Sequence, residues 1–293
     1  MTTLPTEASL QRLPRNLVDR AIEAALAEDL GLAGDITTDA TVPPDATASA
    51  VIAARQRGVV SGLPLAEAAF RALDAAMVFK AEITDGMLIT RGQSLARISG
   101  NARAILTVER VALNFLGQMS GIATLTRAYV NQVVGTTARI VDTRKTTPGL
   151  RAFEKYAVRC GGGHNHRSGL FDAILIKDNH IIAAGGPLAA MQAARDHAGH
   201  MVRIEIEVDT LDQLREVLPL SPDVILLDNM STDELREAVA LAEGRTLLEA
   251  SGGVDLNSVR AIAETGVDVI SVGALTHSAP VLDLGLDFQK SSA

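Results

Sequence analysis

Two hydrophobic periods alternate along this chain. Residues 17–30, LVDRAIEAALAEDL, space their apolar side chains three and four apart and stop at Gly31, which predicts an amphipathic helix ended by glycine. Between 47 and 100 the period shortens. TASAVIAARQRGVVSG and AMVFKAEITDGMLITRGQSLARISG read as short strands with glycine turns, Asp85-Gly86 among them, around one helix at 62–73. Residues 102–134 return to helical spacing, and Ser120-Gly121 is expected to divide that helix in two. Along it Arg110, Asn114 and Gln118 fall at i, i+4 and i+8. They form one polar stripe on an otherwise apolar helix, which aims the stripe at a cavity rather than at open solvent.

From about 138 short apolar runs alternate with helical stretches. The runs are ARIVDTRK, DAILIKDN, RIEIEVDT, DVILLDN, TLLEASGG and DVISVGAL; the helices are expected at 148–159, 187–198, 210–217, 232–243 and 255–265. Continuous apolar runs in a βα repeat predict buried parallel strands. A seventh strand is expected near 164–170, or hidden. A doubly wound sheet and a barrel both fit the repeat. The barrel is favoured because every run ends in a chemically useful residue, and a barrel gathers all its C-terminal strand ends at one mouth. The expected division is an α+β domain over 1–116 and an α/β barrel over 117–276, with 277–293 packing back on the first domain.

Composition narrows the function classes. The chain has 293 residues, 47% hydrophobic and 21% charged, which fits a globular protein of one or two domains. Aromatics are 3%, Trp is absent, and the net charge is −8. Few stacking surfaces and an acidic balance argue against nucleic acid. No apolar run is long enough to span a bilayer. The N-terminal MTTLPTEASLQRLPRN lacks the apolar core of a secretory signal. Cys160 is the lone cysteine, which excludes an intrachain disulfide and fits a reducing, cytoplasmic setting. It is expected to be an inert small residue.

Against that acidic background residues 142–180 are cationic. Arg144, Lys145, Arg151, Lys155, Arg159, Arg167 and Lys177 outnumber Asp142, Glu154, Asp172 and Asp178, and His164, His166 and His180 lie in the same stretch. Cations at the ends of apolar runs, with Asn165-His166-Arg167 after three glycines, suit a pocket for a small polyanion. Ser251-Gly252-Gly253 and Ser271-Val272-Gly273 end the last two runs, where backbone N–H groups and a following helix can hold a phosphate; tight turns would leave the same pattern. Glu207 and Asp228 end neighbouring runs. They suit Mg²⁺ with water and substrate oxygens, or ribose hydroxyls, or salt bridges to Lys145 or Lys177. The rest of the strand-end inventory is Asp142, Asp178, Glu205, Asp209 and Glu249. A zinc site is not expected, because His164 and His166 are two apart and no second cysteine exists.

The texture of 47–100 resembles a lipoyl-type swinging-arm module, but no lysine sits at a hairpin tip, which sets that aside. A more specific resemblance covers about 17–288. Gly34-Asp35-Ile36-Thr37-Thr38, Glu109-Arg110, Ser120-Gly121-Ile122-Ala123-Thr124, DTRKTTPGLR at 142–151, GGGHNHR at 161–167, LIKDNH at 175–180, EIEVD at 205–209, LLDN at 226–229, EASGG at 249–253 and SVGALTHSAP at 271–280 resemble the quinolinate phosphoribosyltransferase family. The resemblance implies an open-faced α+β N-terminal domain and an incomplete α/β barrel. It implies transfer of phosphoribosyl from phosphoribosyl pyrophosphate to quinolinate with loss of CO₂, in NAD biosynthesis. By motif, Arg110, Arg144, His166, Arg167 and Lys177 would bind quinolinate. Lys145, Glu207 and Asp228 would act on phosphoribosyl pyrophosphate and its Mg²⁺. Ser251, Gly252, Gly253 and Gly273 would hold the 5-phosphate, with His277 nearby. Arg55 resembles an arginine donated across a homodimer with shared active sites; whether dimers assemble further is left open. A non-decarboxylating nicotinate phosphoribosyltransferase would need fewer cations, and a non-catalytic phosphosugar-binding barrel would not need Glu207 and Asp228 beside them.

Overall fold

The computed structural model describes residues 12–289, so the absence of a secretory signal, read from residues 1–16, falls mostly outside the described residues. Along the chain come α1 (Arg15–Leu30), α2 (Ile36–Thr41), β1 (Thr47–Ala54), β2 (Gly58–Val59), α3 (Leu63–Leu73), β3 (Val78–Ala81), β4 (Leu88–Ile89), β5 (Ser94–Asn101) and α4 (Ala102–Gln132). Then follow β6 (Arg139–Val141), α5 (Arg151–Cys160), β7 (Ile174–Ile176), α6 (Asp178–Ala184), α7 (Pro187–His197), β8 (Ile204–Val208) and α8 (Leu211–Val217). The chain closes with β9 (Val224–Asp228), α9 (Thr232–Ala242), β10 (Leu247–Ser251), α10 (Val259–Ala263), β11 (Val269–Ser271), α11 (Ala274–His277) and β12 (Leu284–Phe288). No helix among the described residues is long and apolar enough to cross a membrane.

Two compact units divide the described chain. The N-terminal unit holds residues 12–127, 152–162 and 279–289; the other holds 128–151 and 163–278. The boundary expected at 116/117 lies inside α4, and the units part between Arg127 and Ala128.

The N-terminal unit is built on a four-stranded antiparallel sheet in the order β12-β1-β5-β3, with β2 and β4 paired separately. Residues 284–288 return to lie against β1, Leu286 opposite Ile52. The Gly34–Thr38 motif starts α2: Asp35 caps it by accepting the N–H of Thr38 at 2.9 Å and also accepts the Thr107 hydroxyl at 3.0 Å. α4 is one unbroken helix of 31 residues, against the expected division. An interior glycine weakens a helix by about 1 kcal/mol without having to break it. Here Gly117 and Gly121, one turn apart, open a groove for residues 280–282. A Cβ on Gly121 would lie 2.1 Å from the Pro280 carbonyl oxygen, and the Leu282 N–H donates to the Gly117 carbonyl. α5, expected as a barrel helix, belongs to this unit. Its Tyr156 hydroxyl donates to Asp85 at 2.8 Å, and Asp85 also accepts the N–H groups of Gly62 and Leu63 that begin α3.

In the second unit six parallel strands run in the order β6-β11-β10-β9-β8-β7. The order is sequential except that the first strand lies beside the last, Ile140 opposite Ile270. An open doubly wound sheet reverses direction at a switch point. A sheet that brings its first strand round to its last is closing on itself, so the fold is an α/β barrel. It is incomplete, because β6 and β7 do not pair. The expected seventh strand is reduced to one bridge, His164 against Val141.

Residues paired across parallel strands share a face. Glu205 pairs with Val224, and Glu207 with Leu226 and through it Glu249. Ser251 pairs with Asp228. On the other parity, Ile204, Ile206, Val208, Ile225, Leu227, Leu248 and Ala250 are buried, as are Leu214, Leu235 and Ala238 on the helices that cross over. The barrel's inner face is therefore rich in carboxylates on β8 and β10, where branched aliphatics usually fill such a core.

Candidate active site at the strand ends

The C-terminal ends of the six strands carry most of the residues singled out from sequence. Lys177 follows β7 and is ion-paired with Glu207 on β8. One of the three sequence readings of Glu207, a salt bridge to Lys177, is thus realised, and the pairing places a cation and a hard oxygen donor side by side. Asp228 ends β9, two residues further along the same face than Leu226, the partner of Glu207. Its Oδ2 accepts the Asn229 amide at 2.7 Å.

Asn229 is the last residue of the LLDN motif. It sits at φ 55°, and its N–H donates to the Ser251 carbonyl at 2.9 Å, lacing the ends of β9 and β10 together. A Cβ on Gly252, itself at φ 94°, would lie 2.1 Å from Asn229 Oδ1. Contact with Asn229 is by itself enough to require glycine at 252. Around Gly253, at φ 60°, a Cβ would meet nothing within 4 Å among the described residues, so the open side of the turn has room for an anion. Gly273 precedes α11 at an ordinary φ of −64°. Its Cβ position lies 3.1 Å from Lys145 Cδ and 3.2 Å from His277 Nε2. The Thr276 hydroxyl donates to the Lys145 carbonyl at 2.6 Å. Lys145, Gly273 and His277 are thereby held together.

Arg144 lies in the loop after β6, and Arg167 in the loop after the His164 bridge. Arg151 ties the two loops, donating to Thr146 Oγ1 at 2.9 Å and to the Ser168 carbonyl at 3.1 Å. Burial, and next the charge of Arg144, lower the Arg167 pKa, while Glu205 and Asp172 oppose the shift. Two guanidinium groups this near one another suit an anion between them. Asp142, fully buried, accepts the His166 N–H at 2.9 Å and the Asn165 side-chain amide.

Beneath the mouth lies a second group. His166 Nε2 is 3.0 Å from Glu205 Oε2 and 3.6 Å from Glu249 Oε2. One ligand atom of each residue lies within 4.8 Å of the others. Both glutamates are buried, and among the described residues Oε1 of each has no hydrogen-bond partner. Burial, followed by the charge of Glu205, pushes the Glu249 carboxyl up to about 7. Sequence reading placed Glu205 and Glu249 at strand ends without a role. The period of two was the available signal, since each lies two residues before a site residue, Glu207 or Ser251.

Arg55 and Arg110 belong to the N-terminal unit. Arg55 makes two hydrogen bonds to Asp287, at 3.0 and 2.6 Å, and passes over Gly285, where a Cβ would lie 2.4 Å from its guanidinium. Arg110 and Asn114 are exposed on α4, and Gln118 donates to Glu154 at 3.4 Å. Cys160 is buried, and burial pushes its thiol up to about 12, which leaves it unreactive.

An incomplete α/β barrel with cations and carboxylates interleaved at its strand ends fits a phosphoribosyltransferase-type enzyme. Residues 35–120 match the model of the quinolinate phosphoribosyl transferase N-terminal domain, and residues 122–287 that of the C-terminal domain. The chain belongs to the quinolinate phosphoribosyltransferase family. It is 46% identical over 273 residues to the nicotinate-nucleotide pyrophosphorylase [carboxylating] of Mycobacterium leprae, covering 91% of this chain and 95% of that one. It is 44% identical over 265 residues to the probable enzyme of the same name from Bacillus subtilis, covering 90% and 91%. The nicotinate-nucleotide pyrophosphorylase structure from Francisella tularensis superposes with a TM-score of 0.90 at 39% identity, over 96% of this chain and 99% of that one.

Proposed function

We propose that this protein transfers the phosphoribosyl group of phosphoribosyl pyrophosphate to quinolinate, releasing pyrophosphate and CO₂ and leaving nicotinate mononucleotide. The observation that carries the reading is the gathering of Arg144, Arg167 and Lys177 at the barrel's strand ends beside Glu207 and Asp228. Quinolinate bears two carboxylates on one small ring, and several cations are needed to hold it. Arg144, Arg167 and Lys177 meet those carboxylates, with His166 in the same wall. Ser251, Gly252, Gly253 and Gly273 face the 5-phosphate, with His277 and Lys145 beside Gly273.

The pyridine nitrogen attacks the anomeric carbon as the bond to pyrophosphate breaks. The bonding electrons leave with pyrophosphate, and the sugar passes through an oxocarbenium-like state that a carboxylate, Glu207 or Asp228, stabilises. Lys145 offsets charge gathering on the leaving group. The pyridinium then draws the electron pair of the adjacent C–CO₂⁻ bond as CO₂ departs, and a proton replaces it. Holding two substrates in line supplies up to about 7–11 kcal/mol of the barrier. Glu207 and Asp228 are hard oxygen donors on adjacent strands, a fit for Mg²⁺ completed by phosphate and water. When bound there, Mg²⁺ supplies charge neutralisation to the pyrophosphate.

The working form is a cytoplasmic homodimer in which Arg55 serves the partner subunit's site. The charge-dominated chemistry, which needs a mouth shielded from water, supports it. The test is incubation with phosphoribosyl pyrophosphate, Mg²⁺ and either quinolinate or nicotinate, following nicotinate mononucleotide and CO₂. Product with CO₂ from quinolinate is expected. Product from nicotinate alone points to the non-decarboxylating reaction, and no product from either points to a binding barrel.

A further inference from the structure

The inner face of the barrel carries more acid than the reaction uses. Glu207 and Asp228 have roles at the mouth; Glu205 and Glu249, each two residues deeper, have none. They lie against His166, and the hydrogen-bond directions around that ring restrict its chemistry.

A backbone N–H can only donate. The Arg167 N–H points at His166 Nδ1 at 2.7 Å, so Nδ1 presents its lone pair and carries no proton. Nε2 lies 3.0 Å from Glu205 Oε2 and 3.6 Å from Glu249 Oε2. A second lone pair there would be repelled by the Glu205 oxygen at hydrogen-bond distance, so Nε2 carries the proton. His166 is therefore a neutral imidazole with its hydrogen on Nε2, and both ring nitrogens are committed inside the protein. The same argument removes the divalent cation that the spacing of His166, Glu205 and Glu249 would otherwise admit. A metal needs the Nε2 lone pair, and releasing it requires a proton on Nδ1, against the N–H of Arg167.

We propose that Glu205 and Glu249 are positioning residues that lock His166 as the Nε2–H tautomer, and that the locked ring fixes the backbone at Arg167, so that Arg167 rather than His166 presents charge to the substrate. Asp142 supports the same loop from the other side through the His166 N–H and Asn165. Burial, and next the charge of Glu205, raise the Glu249 pKa, which lessens the negative charge massed against His166. The role at Glu205 is that of an acceptor for Nε2–H, and a carboxamide can fill it.

The role of Arg167 rests on the quinolinate reading; the tautomer does not. The test is two-bond ¹H–¹⁵N NMR of the full chain, ¹⁵N-labelled at histidine, at pH 7, with His166 assigned by the signals lost in His166→Gln. The expected result is a single Nε2–H ring, kept in Glu205→Gln and replaced by a tautomer mixture in Glu205→Leu. In turnover, Glu205→Leu should raise the quinolinate KM about tenfold with a change under about threefold in the phosphoribosyl pyrophosphate KM. An imidazolium, an Nδ1–H ring, or a stoichiometric metal in the purified protein that is lost in His166→Gln would overturn the proposal. Because the NMR reading needs no substrate, inactivity towards quinolinate would defeat the functional reading and leave this one standing.

Discussion

Lys177 and Glu207 form an ion pair between the C-terminal ends of adjacent strands β7 and β8. The lysine side chain is 46% exposed and the glutamate 11%, so the pair sits at the lip of the barrel rather than in its core. An ion pair that solvent reaches contributes about 0–1 kcal/mol to stability. Lys177→Met should therefore leave thermal unfolding nearly unchanged while weakening quinolinate use by ~2–5 kcal/mol, the range for removing one side of a desolvated charge pair. Arg144→Ala carries the same expectation for quinolinate. Calorimetry with steady-state kinetics separates the two effects, and unchanged quinolinate affinity in either folded variant removes that residue from the site.

Glu207 and Asp228 offer oxygen and no soft ligand, which predicts a dependence on Mg²⁺. Turnover should vanish with excess chelator and return when Mg²⁺ is restored. Full turnover in chelator would dismiss the metal.

Arg55 lies across Gly285 onto Asp287, and both partners are exposed enough that Arg55→Ala should cost little stability. If the residue serves a neighbouring subunit, inactive Arg55→Ala and inactive Lys177→Ala proteins should regain part of their activity when mixed. Mass-tagged subunits establish that exchange has occurred. No recovery after proven exchange defeats the shared site.

Gly252 couples a left-handed backbone to close contact with Asn229. Gly252→Ala meets a backbone penalty of about 1–2 kcal/mol and an overlap costing about 1–3 kcal/mol. The expected readouts are a lowered Tm and a raised KM for phosphoribosyl pyrophosphate. An unchanged Tm would refute both the backbone penalty and the overlap with Asn229.

The Glu249 carboxyl is pushed up to about 7 by burial, then by Glu205, well above the usual glutamate range. A carboxyl whose folded pKa is raised contributes stability that is fully present below its unfolded pKa and is lost as pH rises through the folded one. Wild type should therefore lose stability relative to Glu249→Gln between about pH 4.5 and 7. Unfolding of both proteins at pH 5 and pH 8 reads the difference, and a gap that does not widen in favour of the variant at pH 8 refutes the shift.

The sequence by itself determined the βα repeat, because buried parallel strands must be runs of aliphatics, and DVILLDN or TLLEASGG cannot be disguised. It also determined the chemical inventory, since cations and carboxylates at run ends have few other uses, and the motifs from GDITT to SVGALTHSAP named a family. Only the tertiary structure decided the rest. Barrel closure depends on β6 lying beside β11, a pairing between distant residues that no local pattern encodes. Ser120-Gly121 looks like a break, yet α4 runs through it, because the missing side chains make room for residues 280–282. The assignment of α5 to the N-terminal unit follows from contacts such as Tyr156 to Asp85, which its amphipathic spacing does not specify. Glu205 and Glu249 looked like further strand-end acids; their distinct character comes from burial against His166, and burial, with the pKa it shifts, exists only once the strands are assembled.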